Sequence, residues 1–406
     1  MKIICRILFF ACLALLTAAC FAAAAEEARN IAPECTYTWT KGSGKNQGDL
    51  YNGNYSYYWE SARATYTWLE VALPEGETCS GVQIKWKAIN PGWCIELEEN
   101  GEWVRAVEPP GEYLNAWIPL RNVTRFRIAA HTKVKNTLAI TELEVYSAGE
   151  RPESVQVWQP TVEKADLLVV VAHPDDEFVF LGAVIPYYGA ERGKKVLVAY
   201  VTESEYCRRT ELLDGLWKAG LRTYPLLGQF YDRYTMSLDV ADERLDKKKT
   251  RTWMVSVFRQ YRPEVVVTHD INGEYGHGVH KLCADIVANA AQKSGDKSYH
   301  KESAKQFGTW EVKKCYLHLY EKDPLRFDWK GMKLEAFGGK SAWQVADEAW
   351  QCHVSQNLKG KYEVYTDGPY DSQLFGLYRS TVGPDTEHND FFENIPEENY
   401  LVEGEE

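Results

Sequence analysis

The stretch that constrains this chain most is Leu167-Leu168-Val169-Val170-Val171, followed at once by Ala172-His173-Pro174-Asp175-Asp176-Glu177. Five consecutive apolar, mostly β-branched residues predict a strand buried on both faces, the pattern of a parallel sheet covered by helices. Pro174 has no N–H for a sheet ladder, so the strand cannot simply run on. One imidazole and three carboxyls therefore fall at the carboxyl end of a central strand. In open α/β sheets that edge is where ligands bind. Imidazole and carboxylates packed this closely suit a divalent metal with a base beside it.

A partner stretch lies about a hundred residues on. Glu264-Val265-Val266-Val267-Thr268 predicts a second apolar strand, followed by His269, Asp270, Asn272, Gly276, His277, Gly278 and His280 and then by helical residues. His277 and His280 are three apart, so at a helix start they share a face. One can bind a metal while the other faces a substrate. Further strands are expected over Lys195–Val201, Thr223–Leu227 and Trp310–Tyr320, with helices over Arg208–Ala219, Asp246–Tyr261 and Ala342–Ser355. This alternation predicts an α/β fold with a doubly wound, mostly parallel sheet. No G-x-G-x-x-G is present, so the sheet carries no dinucleotide signal.

Together the two stretches resemble the N-acetylglucosaminyl deacetylase superfamily, also called the PIG-L or LmbE-like family, over roughly Lys164 to Asn394. Its marks are A-H-P-D-D-E after the first strand and a later G-H-x-x-H, and Arg208 and Glu211 match its R-x-x-E helix start. The resemblance implies a Rossmann-like domain that hydrolyses the linear amide of an N-acetylated amino sugar, with one Zn²⁺ per chain held by His173, Asp176 and His280. Two imidazoles and one carboxylate also suit zinc on general grounds, and Fe²⁺ or Co²⁺ fit the same set. Asp175 is then the general base and a source of the proton for the leaving amine, while His277 hydrogen-bonds the oxyanion or donates that proton. Arg208 and Asn272 are the candidate substrate contacts, with a structural ion pair the rival role for Arg208. Glu177 and Asp232 read as supporting residues, and His269 as a pocket wall or structural residue. His131, His300, His318, His353 and His388 show no metal spacing. Ser204 and Cys207 are conceivable nucleophiles, but Ser204 has no G-x-S-x-G elbow around it, which counts against that role.

Residues 26–150 read as all-β. Short strands are expected at Leu69–Leu73, Gly81–Lys87, Cys94–Leu97, Trp103–Val107, Arg125–Ala129 and Leu138–Tyr146, separated by turns such as Asn90-Pro91-Gly92 and Asn100-Gly101. This spacing predicts a β-sandwich of jelly-roll type. Leu50-Tyr51-Asn52-Gly53-Asn54 with Trp59, Val82–Trp86, Asn100–Trp103 and Ile140–Tyr146 resemble a discoidin-like (coagulation-factor C-type) carbohydrate-binding domain. That family's early loop often carries Asp and can hold Ca²⁺; Asn52 and Asn54 here remove the charge that calcium wants. Residues 151–163 read as a linker and 164–406 as the deacetylase-like domain.

Two domains fit a chain of 406 residues. A net charge of −12 and the lack of a basic stripe disfavour nucleic acid as a partner. Met1–Ala25 carries Lys2 and Arg6, then the apolar Ile7–Leu16, then small residues, which predicts a signal peptide cleaved near Ala25 and a secreted, periplasmic or cell-surface location. Lipid anchoring at Cys20 is the alternative, with Thr17 standing where a lipobox usually has Leu. No other stretch is long and apolar enough to cross a membrane. Seven cysteines follow Ala25, an odd number with no C-x-x-C, so buried free thiols are expected, with one or two disulfides as the alternative, rather than a cysteine zinc site. The expected partner is an N-acetylated glycan or glycoconjugate. A metal-dependent amidase on a non-sugar amide and a catalytically silent glycan-binding protein are the alternatives, and oligomeric state is left open.

Overall fold

A computed structural model describes residues 26–40, 46–357 and 360–396. The expected signal segment, with Cys20, lies outside the described residues.

The front half forms two antiparallel sheets. One has five strands in the order Thr36–Trp39, Ala64–Ala72, Arg125–Asn136, Trp93–Glu99, Glu102–Val107, and the other has four in the order Trp59–Glu60, Ala139–Ser147, Cys79–Ala88, Asn115–Val123. Alternation turns one face of each sheet inward. Leu69, Val71, Ile95, Phe126 and Ile128 thus meet Val82, Ile84, Trp86, Ile140, Leu143 and Val145 in one buried core, which is sandwich packing. Asn115–Val123 is a strand that the sequence reading missed, because Pro119 interrupts its pattern. It lies at a sheet edge, paired only to Cys79–Ala88, where a missing N–H is tolerated.

In the back half four strands run parallel in the order Val196–Tyr200, Leu167–Val171, Val265–Thr268, Lys314–His318. Leu374–Ser380 and Pro324–Arg326 extend the sheet antiparallel on the far side. Five helices matter for the site: α1 (Asp176–Val179), α2 (Tyr206–Lys218), α3 (Lys247–Tyr261), α4 (Gly278–Lys293) and α5 (Ala342–Trp350). Leu167, Val169 and Val171 share a core with Leu212 and Leu216 of α2 and Val345 and Ala349 of α5. Leu168 and Val170 share the opposite core with Val255 and Phe258 of α3 and Leu282 and Ile286 of α4. Helices on both faces are why the strand reads as an unbroken apolar run. The short strand expected over Thr223–Leu227 does not form. Thr223 and Leu226 make only isolated bridges, to Gln159 and Ala199, with Pro225 lacking an N–H between them.

The connection expected as a linker is packed down rather than free. Val155, Gln156 and Trp158 are buried, and Trp158 meets Trp217 and Tyr224 edge-on. Apolar residues of both halves belong to one continuous core cluster. The seven described cysteines are all free thiols, six of them buried. No helix among the described residues is long and apolar enough to cross a membrane.

Candidate active site

The first strand delivers Ala172 and His173 to the sheet edge, and Pro174 turns the chain into α1. Asp175 sits in that turn at φ 112°, a conformation that non-glycine residues rarely adopt. The strain is held by two contacts. The Asp175 N–H donates to Glu177 Oε2 at 2.8 Å, and the Arg208 guanidinium donates to Asp175 Oδ1 at 3.1 Å and to the Pro174 carbonyl. Asp176 opens α1 and folds back, so that its Oδ2 accepts the His173 N–H at 2.7 Å.

The Val265–Thr268 strand delivers His269, and the following loop closes on Glu274, which is wholly buried. Glu274 Oε2 accepts from His269 Nδ1 at 2.7 Å and His280 Nδ1 at 2.9 Å; Oε1 accepts from His318 Nδ1 at 2.7 Å and the Asp270 N–H at 3.1 Å. A carboxylate on Nδ1 fixes the imidazole tautomer and turns Nε2 outward as a ligand atom. For His280 that Nε2 lies 3.4 Å from Asp176 Oδ1. For His269 the outcome differs: its Nε2 already accepts the Ala172 N–H at 3.0 Å. His269 therefore has no lone pair to give a metal, and it is the structural residue of the pair.

Whether these residues fit a metal can be judged from the atoms left unpaired. His173 Nε2, His280 Nε2 and His277 Nδ1 are buried without a hydrogen-bond partner. Leaving such atoms unmatched is costly unless something binds there. Ring nitrogens of His173, His277 and His280 lie within 4.8 Å of one another, and the same holds for ligand atoms of Asp176, His269 and His280. Asp176 is 3.2 Å from His173 Nδ1 and 3.4 Å from His280 Nε2. Ligand atoms around a tetrahedral zinc with bonds of about 2.0–2.1 Å stand about 3.3–3.4 Å apart. His173, Asp176 and His280 are thus neighbours in pairs, a donor set that suits such an ion: Asp176 Oδ2 meets His173 Nδ1, Asp176 Oδ1 lies near His280 Nε2, and His173 Nε2 faces Asp232.

The charges around the cluster are arranged in layers. Burial opposes ionisation of Asp176, but His280, His269 and His173 outweigh it and hold the carboxyl well below the usual range. Burial likewise opposes ionisation of Glu274, and its histidine neighbours again win. Asp175 is the exception: burial pushes it up to about 7, Arg208 pulls the other way, and the Asp176 charge adds to the rise. A carboxyl held there can both take and return a proton near neutral pH. His277 is pushed down to about 3 by burial, then by His280 and His173. It is neutral at neutral pH, which suits a hydrogen-bond donor and disfavours a standing acid.

His173, Asp175, Asp176 and His277 line a pocket of about 530 Å³, together with Arg208, Asp232 and five tyrosines (Tyr234, Tyr275, Tyr362, Tyr365, Tyr370). Asn272 does not line it. Asn272 is exposed, and both its N–H (3.0 Å) and its side-chain amide (3.3 Å) bond to Asp270 Oδ1. These bonds close the turn before Glu274. Asp232 stands 3.3 Å from His173 Nε2.

Sequence reasoning missed four supports. Glu274 had a signal, a carboxylate placed between two histidine stretches. His318 had one too, since it ends a parallel strand at the ligand-binding edge. His353, 3.1 Å from Glu177, and the tyrosines after residue 360 had none.

Residues 168–291 match the family model described as PIG-L: GlcNAc-PI de-N-acetylase. Among curated relatives, 1D-myo-inositol 2-acetamido-2-deoxy-alpha-D-glucopyranoside deacetylase 1 of Catenulispora acidiphila is 29% identical over 178 residues, covering 37% of this chain and 54% of its own length. The corresponding deacetylase of Geodermatophilus obscurus is 29% identical over 211 residues, 45% of this chain and 70% of its own. This chain thus spans about half the length of the first. Among solved structures, N,N'-diacetylchitobiose deacetylase from Pyrococcus horikoshii aligns with 48% of this chain and 72% of its own at 16% identity and a TM-score of 0.37. The family 32 carbohydrate-binding module of C. perfringens NanJ aligns with 29% of this chain and 98% of its own at 22% identity and a TM-score of 0.24. Over residues 168–291, then, this chain carries a domain of the PIG-L family.

Proposed function

We propose that this protein is a metal-dependent deacetylase that removes the N-acetyl group from N-acetylglucosamine-type glycans or glycoconjugates. One observation carries the reading: the buried, unpaired His280 Nε2 lies 3.4 Å from Asp176, whose other carboxylate oxygen meets His173, and Asp175 and His277 line the same pocket as His173 and Asp176. The relatives' names point to the same amide. His173, Asp176 and His280 would hold the metal, for which zinc is our choice. When bound, a zinc ion supplies Lewis acidity to the attacking water and the amide carbonyl.

The chain's own residues do the rest. Asp175 takes a proton from the attacking water, and its raised affinity lets it pass that proton to the leaving amine as the C–N bond breaks. His277, neutral, donates a hydrogen bond to the oxygen that gains charge. Arg208 holds Asp175 in its strained turn and reaches the pocket wall, so positioning and substrate contact combine in it. The tyrosine walls offer flat faces for a sugar ring.

In the same reading the sheet is Rossmann-like, 26–150 is a discoidin-like domain and 164–406 the catalytic one, and the chain is exported through its N-terminal signal. Calcium is not part of the proposal, because Asn52 and Asn54 put neutral amides where the ion favours carboxylate charge. The test is to offer the zinc-loaded protein N-acetylglucosamine conjugates, N-acetylated amino acids and simple amides, and to measure released acetate. Release from the aminosugar conjugates alone is expected. Release confined to non-sugar amides overturns the substrate class.

A further inference from the structure

Helix α2 carries Arg208, the residue that grips Asp175 and the Pro174 carbonyl. The same helix is held from outside by the front sandwich, at points on both sides of Arg208. Before it, Tyr206 Oη donates to the Ser56 carbonyl at 2.6 Å, and Tyr58 packs edge-on against the Tyr206 ring at 5.4 Å. Just after it, Arg209 donates to the Lys87 carbonyl at 3.1 Å.

A turn and a half further on, Asp214 is the centre of a half-buried network. Lys85, from the Cys79–Ala88 strand, reaches its two oxygens at 3.0 and 3.1 Å, and the Lys85 side chain is only 7% exposed. Tyr55 Oη donates to Asp214 Oδ2 at 2.6 Å and accepts from Lys85 Nζ at 2.6 Å. Gln156 donates to Asp214 Oδ1 and accepts from Asn115 at 2.9 Å.

This is not the architecture of a domain on a tether. Burying Lys85 and Asp214 costs desolvation that is recovered only in one defined geometry. Such pairs fix orientation better than they add stability. Here the orientation fixed is that of the helix whose first turn meets the reacting carboxylate. A misplacement of even about 1 Å at such a group costs on the order of 100-fold in rate.

We propose that the front sandwich is a fixed part of the catalytic body, whose Lys85, Tyr55 and Ser56 position Arg208 through α2. This rests on the deacetylase reading for its activity readout only. It makes the sandwich necessary for turnover of a small soluble substrate, a role that a module serving only to dock on glycan would not have.

The test is a double-mutant cycle in the full-length, zinc-loaded protein. Lys85→Met with Asp214→Leu removes both charges together and leaves neither buried alone. This variant is expected to keep its circular dichroism spectrum, to lose about 10- to 100-fold in acetate release from a small N-acetylglucosamine conjugate, and to exchange the amides of residues 206–210 faster. In an Arg208→Ala background the same pair of changes is expected to cost less than about 2-fold, because coupled positions are not additive. Wild-type turnover in the double variant, or a full additional loss on top of Arg208→Ala, overturns the proposal. If the double variant does not fold, Tyr206→Phe, which removes only the hydroxyl bonded to Ser56, runs through the same cycle with the same criteria. If the unmodified protein releases no acetate, the deacetylase reading fails, and amide exchange alone decides: unchanged protection of α2 overturns the positioning role, and faster exchange supports it.

Discussion

Asp175→Asn should leave the protein with its full metal complement and turnover lowered by about two to four orders of magnitude, the usual worth of a placed acid or base. Asparagine keeps the volume and can still accept from Arg208, so the strained turn at φ 112° has no reason to relax. What it loses is the ability to take a proton. The neighbouring change, Asp176→Asn, should behave in the opposite way. Asp176 is the carboxylate that stands 3.2 and 3.4 Å from the two histidine nitrogens, and a neutral amide in its place weakens metal binding. Its activity should recover in part with excess zinc, and that of Asp175→Asn should not. Paired zinc titration and acetate release on both variants check this. Metal loss and zinc rescue in Asp175→Asn would mean that the two carboxylates have exchanged roles.

Glu274→Leu should be among the most damaging substitutions outside the reacting groups. Glu274 is wholly buried and takes three imidazoles and one backbone N–H. Removing it strands those histidines in a dry interior, where breaking one side of a buried charge network costs about 3–5 kcal/mol. It also frees His280 to rotate, and loss of a carboxylate behind a metal-ligating histidine costs about 10- to 100-fold in metal affinity. Urea unfolding of the metal-free protein and a competitive zinc titration separate the two effects. Wild-type values in both would show that the histidines orient themselves without it.

Much of the α/β half was legible because its signals are local. An apolar run that ends in Pro174 marks a buried strand and its ligand-bearing edge in a dozen residues, and the pair His277 and His280 marks a helix start in four. Asn272 lies beside the motif, and that its amide turns back to Asp270 is visible only in the fold. The missing parts are long-range. Lys85 and Asp214 are 129 residues apart, and each reads as an ordinary surface charge until the fold buries them against each other. The tyrosines after residue 360 and His353 return from the far end of the chain, where no periodicity ties them to the first strand. Pro119 hid an edge strand, since sequence cannot tell an edge from a centre.

The most direct test of the account is acetate release from an N-acetylglucosamine conjugate by the full-length protein before chelation, after chelation, and after zinc is returned. Release should disappear with the metal and return at one zinc per chain. Release that persists in the chelated protein, or no release from the fully loaded one, would contradict it.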